Sequence, residues 1–140
     1  MICQNKISQP YILTFGYGNR KSHDDFLKYL DFFEVSCVVD VRLSPRAWSR
    51  MWYGKEIEKL CHAKNIKYIS KPSLGNTSGN KNWIPPNGEE ATKALLEISE
   101  IAQTSTTLLL CAEIQHTQCH RVDVAQELQK LTKTTVKHLD

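Results

Sequence analysis

A chain of 140 residues, 41% hydrophobic and 24% charged, has the size and balance of one globular domain over residues 1–140, and it carries no low-complexity tract or fixed-period repeat. Eighteen basic against fifteen acidic side chains leave a net charge of +3, too little for charge alone to imply a polyanionic partner. The start "MICQNKISQPY" lacks the apolar core of a signal peptide, no apolar run is long enough to span a bilayer, and five irregularly spaced cysteines make no disulfide framework. A cytoplasmic protein with no membrane partner is the expectation.

Residues 11–15, "YILTF", are aromatic and β-branched and run straight into the glycines of "GYGN", so they predict a strand ending in a tight turn. Ser22 with Asp25 approaches a capping box, and Phe26, Leu27, Leu30 and Phe33 recur at helical spacing to about Glu34. "CVVDV", residues 37–41, is a short apolar run of the kind found in strands covered on both faces. Beyond Pro45 a polar, tryptophan-bearing stretch leads to Ile57, Leu60 and Cys61, one face of a short helix, and "IKYIS" supplies a third strand. Residues 71–87 are rich in proline, glycine and asparagine, which predicts a long irregular loop. Asn87 caps the next helix with Glu90 at its third position, and Ala91, Ala94, Leu95, Ile98, Ile101 and Ala102 form its apolar stripe. "TTLLLC" is a fourth strand, a last helix is expected from about Gln118 to Leu131, and "TTVKHL" reads as a fifth strand.

Strands alternating with helices predict a single-domain α/β fold, with a mostly parallel sheet of about five strands and helices on both faces. Such a sheet gathers the carboxyl ends of its strands along one edge, where ligands bind. That edge should collect Gly16, Asn19 and Arg20 from the first strand and Asp40, Arg42 and Arg46 from the second. The fourth contributes Cys111, Glu113, Cys119, His120 and Arg121.

Each motif has a chemical reading and a plainer one. "GYGNRK" follows a strand, with Asp40 about twenty residues on, as in a dinucleotide fingerprint, yet Lys21 stands where the third glycine belongs, so no cofactor is expected. The turn either joins strand to helix or presents backbone N–H groups, with Arg20, to an anion. In "DVRLSPR" the acid near a buried edge needs a cationic partner such as Arg42 or Arg20, and the arginines offer forked donors to phosphate or carboxylate oxygens.

In "LLLCAEIQHTQCHR", residues 108–121, a helix capped by Thr117 would place Cys119 in its first turn beside Arg121, where the dipole and a cation favour a thiolate. Cys111, at the end of an apolar strand, would be the inert one. A strand, a loop and an arginine at a helix start are also the parts of rhodanese and cysteine-phosphatase sites, but Cys111 and Arg121 enclose nine residues where the phosphatase loop encloses five. Cys111, Glu113, Cys119 and His120 could supply four ligands that zinc accepts. Their spacing matches no standard zinc module, and neighbours on a helix point about 100° apart, so the sequence assigns no metal.

The residues "LTFGYGNR", "VVDVRLSPR", the Leu74–Gly75 pair and "LLLCAE" with "CHR" resemble, in order and over nearly the whole chain, the family catalogued as domain of unknown function 488. The resemblance implies a compact α/β domain with a cleft formed by these motifs, and no established activity. It singles out Gly16, Asn19, Asp40, Arg42, Pro45, Arg46, Cys111, Glu113, Cys119, His120 and Arg121. Tyr17 stands where many relatives have histidine, which removes one acid–base group.

The functional expectation is an enzyme with a polar, anion-binding cleft for a phosphorylated or nucleotide-like small molecule. In it Gly16, Asn19, Arg20, Arg42, Arg46 and Arg121 hold the anion, Asp40 or Glu113 is the acid–base group, and Cys119 or His120 is nucleophile or proton donor. Residues 71–87 would cover the cleft. The rival is a non-catalytic nucleic-acid-binding module that uses Arg20, Arg42, Arg46, Arg50, Trp48, Trp52 and Tyr53 as a basic, aromatic surface.

Overall fold

The computed structural model describes residues 9–18, 20–47, 49–112 and 119–139. Five strands form one all-parallel sheet: β1 (Tyr11–Gly16), β2 (Cys37–Asp40), β3 (Lys67–Ser70), β4 (Thr107–Cys111) and β5 (Thr135–Leu139), in the order β3-β2-β4-β1-β5. Helices α1 (Asp24–Phe32), α2 (Gly54–Ala63), α3 (Gly88–Ala102) and α4 (Arg121–Thr132) provide the crossovers. The chain winds one way through α1 and α2 and returns through α3 and α4, so consistent right-handed crossovers place the two helix pairs on opposite faces. Among the described residues no helix is long and apolar enough to cross a membrane.

Strand side chains alternate between the two cores. Leu13, Phe15, Val38, Leu108 and Leu110 pack with Phe26, Leu30, Trp52 and Ile57. Ile12, Val39, Val41 and Leu109 pack with Ala94, Ile98, Val124 and Leu128. Both faces are apolar, which is why β2 and β4 read as nearly continuous hydrophobic runs. Each such aliphatic or aromatic side chain contributes about 1.5–3 kcal/mol by leaving water.

Two helix starts differ from the sequence expectation. Helix α1 begins at Asp24, because the Asp25 carboxylate turns to Arg20 at 2.6 Å and does not close a capping box; the Ser22 hydroxyl only accepts from the Asp24 N–H at 3.3 Å. Helix α4 begins at Arg121 with His120 as its cap residue, so Cys119 precedes the helix. Asn87 caps α3 as expected, its side chain accepting from the Glu90 N–H at 2.9 Å. Residues 71–87 are irregular apart from a 3₁₀ turn at Pro72–Leu74.

Candidate functional site

Where β1, β2 and β4 end, a cavity of about 670 Å³ opens at the carboxyl edge of the sheet. Tyr17 follows β1, Arg42 and Arg46 follow β2, Cys111 ends β4, Cys119 and His120 precede α4, and Asn76, Asn80 and Lys81 reach in from the irregular segment. The parallel sheet accounts for the convergence, because chain segments far apart in sequence leave the same edge. Gly75 lets that segment approach: a Cβ there would lie 2.8 Å from the Leu43 Cα.

One wall is built on a buried ion pair. Asp40 is fully buried and takes the Arg42 guanidinium in a forked contact, Nε to Oδ1 at 2.8 Å and the terminal nitrogen to Oδ2 at 2.6 Å, while the Tyr68 hydroxyl donates to Oδ2 at 2.6 Å. Burial opposes the charge on Arg42, yet Asp40 outweighs it and holds the arginine more firmly protonated than usual. Burial, with Asp40 beside it, also pushes the Tyr68 phenol up. Arg42 donates further to the Trp52 carbonyl at 2.8 Å and lies over the Tyr17 ring, 5.3 Å from its centre. Tyr17 stacks on Trp52 at 5.1 Å, and burial raises its pKa against the pull of Arg42. The Asp40 carboxylate, read from sequence as a candidate acid–base group, is thus enclosed by Arg42 and Tyr68 and lies outside the cavity lining.

The opposite wall carries two sulfurs and an imidazole. The His120 Nε2–H donates to the Val41 carbonyl at 2.9 Å, since a carbonyl can only accept, and this directs Nδ1 toward two sulfurs. Cys111 Sγ and Cys119 Sγ each lie 3.8 Å from that nitrogen, and the three atoms are all within 4.8 Å of one another. The two cysteines are equally buried at 6% exposure, so burial does not separate them. Contact with the Cys111 thiol, joined by His120 and the Arg121 backbone N–H, overrides burial and lowers Cys119 to about 4. The same contact, with burial, raises Cys111 well above the ordinary thiol range. Burial would lower His120, but Cys119 and the Val41 carbonyl prevail and raise it. The contact therefore favours the anionic form at Cys119 and the protonated forms at Cys111 and His120. The donor types of the cluster also suit a soft or borderline metal ion.

Other predicted residues are placed differently. Gly16 pairs with Cys111 across the sheet, and the Tyr17 and Gly18 N–H groups donate to the Cys111 and Ala112 carbonyls, so these two donors of the glycine turn are used within the fold. Arg20 turns to Asp25 at 2.6 Å and to the Gly16 carbonyl at 3.0 Å, away from the cavity lining. Arg121 is fully buried, and it too is outside the lining. Asn19, Glu113, Thr117 and Trp48 lie outside the described residues. Trp52 is 1% exposed and cannot stack on a base, whereas Arg46 and Arg50 are exposed. Tyr17, Asn76, Asn80 and Lys81 were not singled out from sequence as cleft-lining polar groups, and the only signal for the last three was the irregular composition of their segment.

Fold and site together define a doubly wound α/β protein with a cysteine- and histidine-walled cavity at the carboxyl edge of its sheet. The chain belongs to the family described as Domain of unknown function DUF488, whose model matches residues 22–128. "VVDVRLSPR" and "CAE…CHR" lie inside that span, and the glycine turn after β1 lies before it. No curated protein and no solved structure matches the chain.

Proposed function

We propose that this protein is an enzyme acting on a small anionic molecule, phosphorylated or nucleotide-like, held in the edge cavity. The observation that carries the reading is one of arrangement. Cys111, Cys119 and His120 share a cavity with Arg42, Arg46 and Lys81, and its 670 Å³ falls in the range of small-molecule sites. Arg42 is charge-balanced by Asp40 and mainly shapes the wall, so Arg46 and Lys81 supply the net positive charge toward an anion. Cys119 and His120 form the reacting end. Free thiols at all four described cysteines suit the reducing cytoplasm.

The test is equilibrium binding of a panel of mononucleotides and sugar phosphates, by calorimetry, to the wild type and to an Arg46→Ala, Lys81→Ala double variant. Saturable binding of one class is expected, weakened about tenfold or more in the variant, since each charge-assisted contact contributes about 1.5–3 kcal/mol. No saturable binding by any anion would overturn the reading. Salt-dependent binding of single-stranded oligonucleotides without binding of mononucleotides would replace it with the nucleic-acid module.

A further inference from the structure

We infer that Cys111, Cys119 and His120 form a three-donor zinc site whose fourth coordination position opens into the cavity. It deepens the reading above by naming the reacting group, and it rests on that reading only for what the fourth position meets. Two sulfurs and one imidazole nitrogen are the donor types zinc takes. A tetrahedral ion with Zn–N near 2.0–2.1 Å and Zn–S near 2.3 Å holds nitrogen and sulfur about 3.6 Å apart. Here both sulfurs stand 3.8 Å from Nδ1 and all three atoms lie within 4.8 Å of one another, so closing on an ion takes shifts of a few tenths of an ångström along the two nitrogen–sulfur edges and at most about 1 Å along the sulfur–sulfur edge, which a tetrahedral ion sets at about 3.8 Å.

The imidazole is already oriented. Its Nε2–H is engaged by the Val41 carbonyl, the outer hydrogen bond that fixes the tautomer of a ligating histidine and turns the other nitrogen's lone pair inward. Val41 is itself anchored, its N–H donating to the Leu110 carbonyl at 3.1 Å. The expected objection, that neighbours on a helix diverge, does not apply, because Cys119 and His120 precede the first turn of α4. All three side chains are at most 6% exposed, and all three line the cavity. Three protein donors with one open position is the arrangement of catalytic zinc, whereas structural zinc is closed by four. Two thiolates and a divalent cation are neutral together, which suits a buried wall. Zinc takes both sulfurs as thiolates and Nδ1 unprotonated, so binding is accompanied by proton release. A water in the open position would be activated near neutral pH, and a substrate oxygen there would be polarised.

The experiment is titration of the chelator-treated full chain with cobalt(II), followed by displacement with zinc. The expected result is one equivalent of cobalt with the intense thiolate charge-transfer absorption and visible bands of a tetrahedral site, bleached by zinc. Loss of one outer-sphere partner costs about 10–100-fold in metal affinity, so Cys111→Ser, Cys119→Ser and His120→Ala should each lose about 100-fold or more. Circular dichroism confirms the fold of each, and His120→Gln serves if the alanine variant does not fold. Absence of the cobalt spectrum in the wild type, or unchanged affinity in both serine variants, overturns the site. Phosphorylated ligands still bound through Arg46 and Lys81 in a chain that takes no cobalt would sink the zinc site alone. Cobalt bound without any anion binding would sink the substrate reading alone.

Discussion

Cys37 and Cys61, packed against opposite faces of the sheet, are 1% and 0% exposed, and Cys111 and Cys119 at its carboxyl edge are little more open at 6% each. Their chemistry nevertheless diverges. Desolvation pushes Cys37 up to about 11, with only a small opposing pull from Lys67, and pushes Cys61 up to about 12. At the edge each sulfur has an imidazole nitrogen at 3.8 Å, and both border a cavity. Burial alone makes a thiol a small hydrophobe; burial beside a polar partner and an opening makes it a functional group.

The largest effect should appear in native-state alkylation at neutral pH. A thiol with a pKa of about 11 or 12 is ionised to only about one part in ten thousand or less at pH 7, and a packed core also excludes the reagent. In chelator-treated protein Cys119 should label about a thousandfold faster than Cys37 and Cys61, with Cys111 behind Cys119 because its thiol is raised and ahead of the core pair only through its access from the cavity, and added zinc should protect both edge cysteines. Peptide mapping over a time course reads all four sites. Equal rates at core and edge would erase the distinction.

How much of this was legible in sequence depends on how local its cause is. Apolar periodicity and the Asn87 cap act within a few residues, so all five strands, all four helices and the cap of α3 could be read directly. The need of Asp40 for a cation was legible too, because a buried carboxylate next to two arginines leaves few alternatives. The strand order was not, since nothing local says that β4 inserts between β2 and β1. The insertion brings Cys111 beside Val41 and so sets the His120 hydrogen bond that organises the edge. From sequence Trp52 fitted either a basic, aromatic surface or packing near the second helix, and the three-dimensional packing of Tyr17 and Phe26 against it decides for the core. Cys119 and His120 looked divergent because the helix was started three residues early.

A smaller effect tests whether the two sets are reached by different routes. Asp40→Ala leaves Arg42 charged, buried and without its carboxylate, and removes the acceptor of Tyr68, a loss expected to cost about 3–5 kcal/mol in urea denaturation. Core cysteines label only through unfolding, so at the lower bound their rate should rise about a hundredfold, by the usual 1.4 kcal/mol per decade. The edge cysteines should change little, because reagent reaches them from the cavity. If the alanine variant does not fold, Tyr68→Phe should show the same pattern with a loss of about 1.5–3 kcal/mol. Acceleration of all four sites in parallel would mean that the edge is also protected by the global fold.

The smallest effect is the most direct measure of what each sulfur does for the fold. In Cys61→Ala a sulfur leaves a packed core with no space to collapse into, and the resulting void should cost about 1–2 kcal/mol, toward the low end of large-to-small core changes. In Cys119→Ala, measured without metal, the atom removed already borders the 670 Å³ cavity, so the change only enlarges an existing space. Its cost should stay within about 0.5 kcal/mol, as at positions free of packing constraints. Urea midpoints of the two variants against the wild type decide the matter. A loss at Cys119 equal to that at Cys61 would make Cys119 a packing residue, and the contrast between core and edge would then rest on His120 alone.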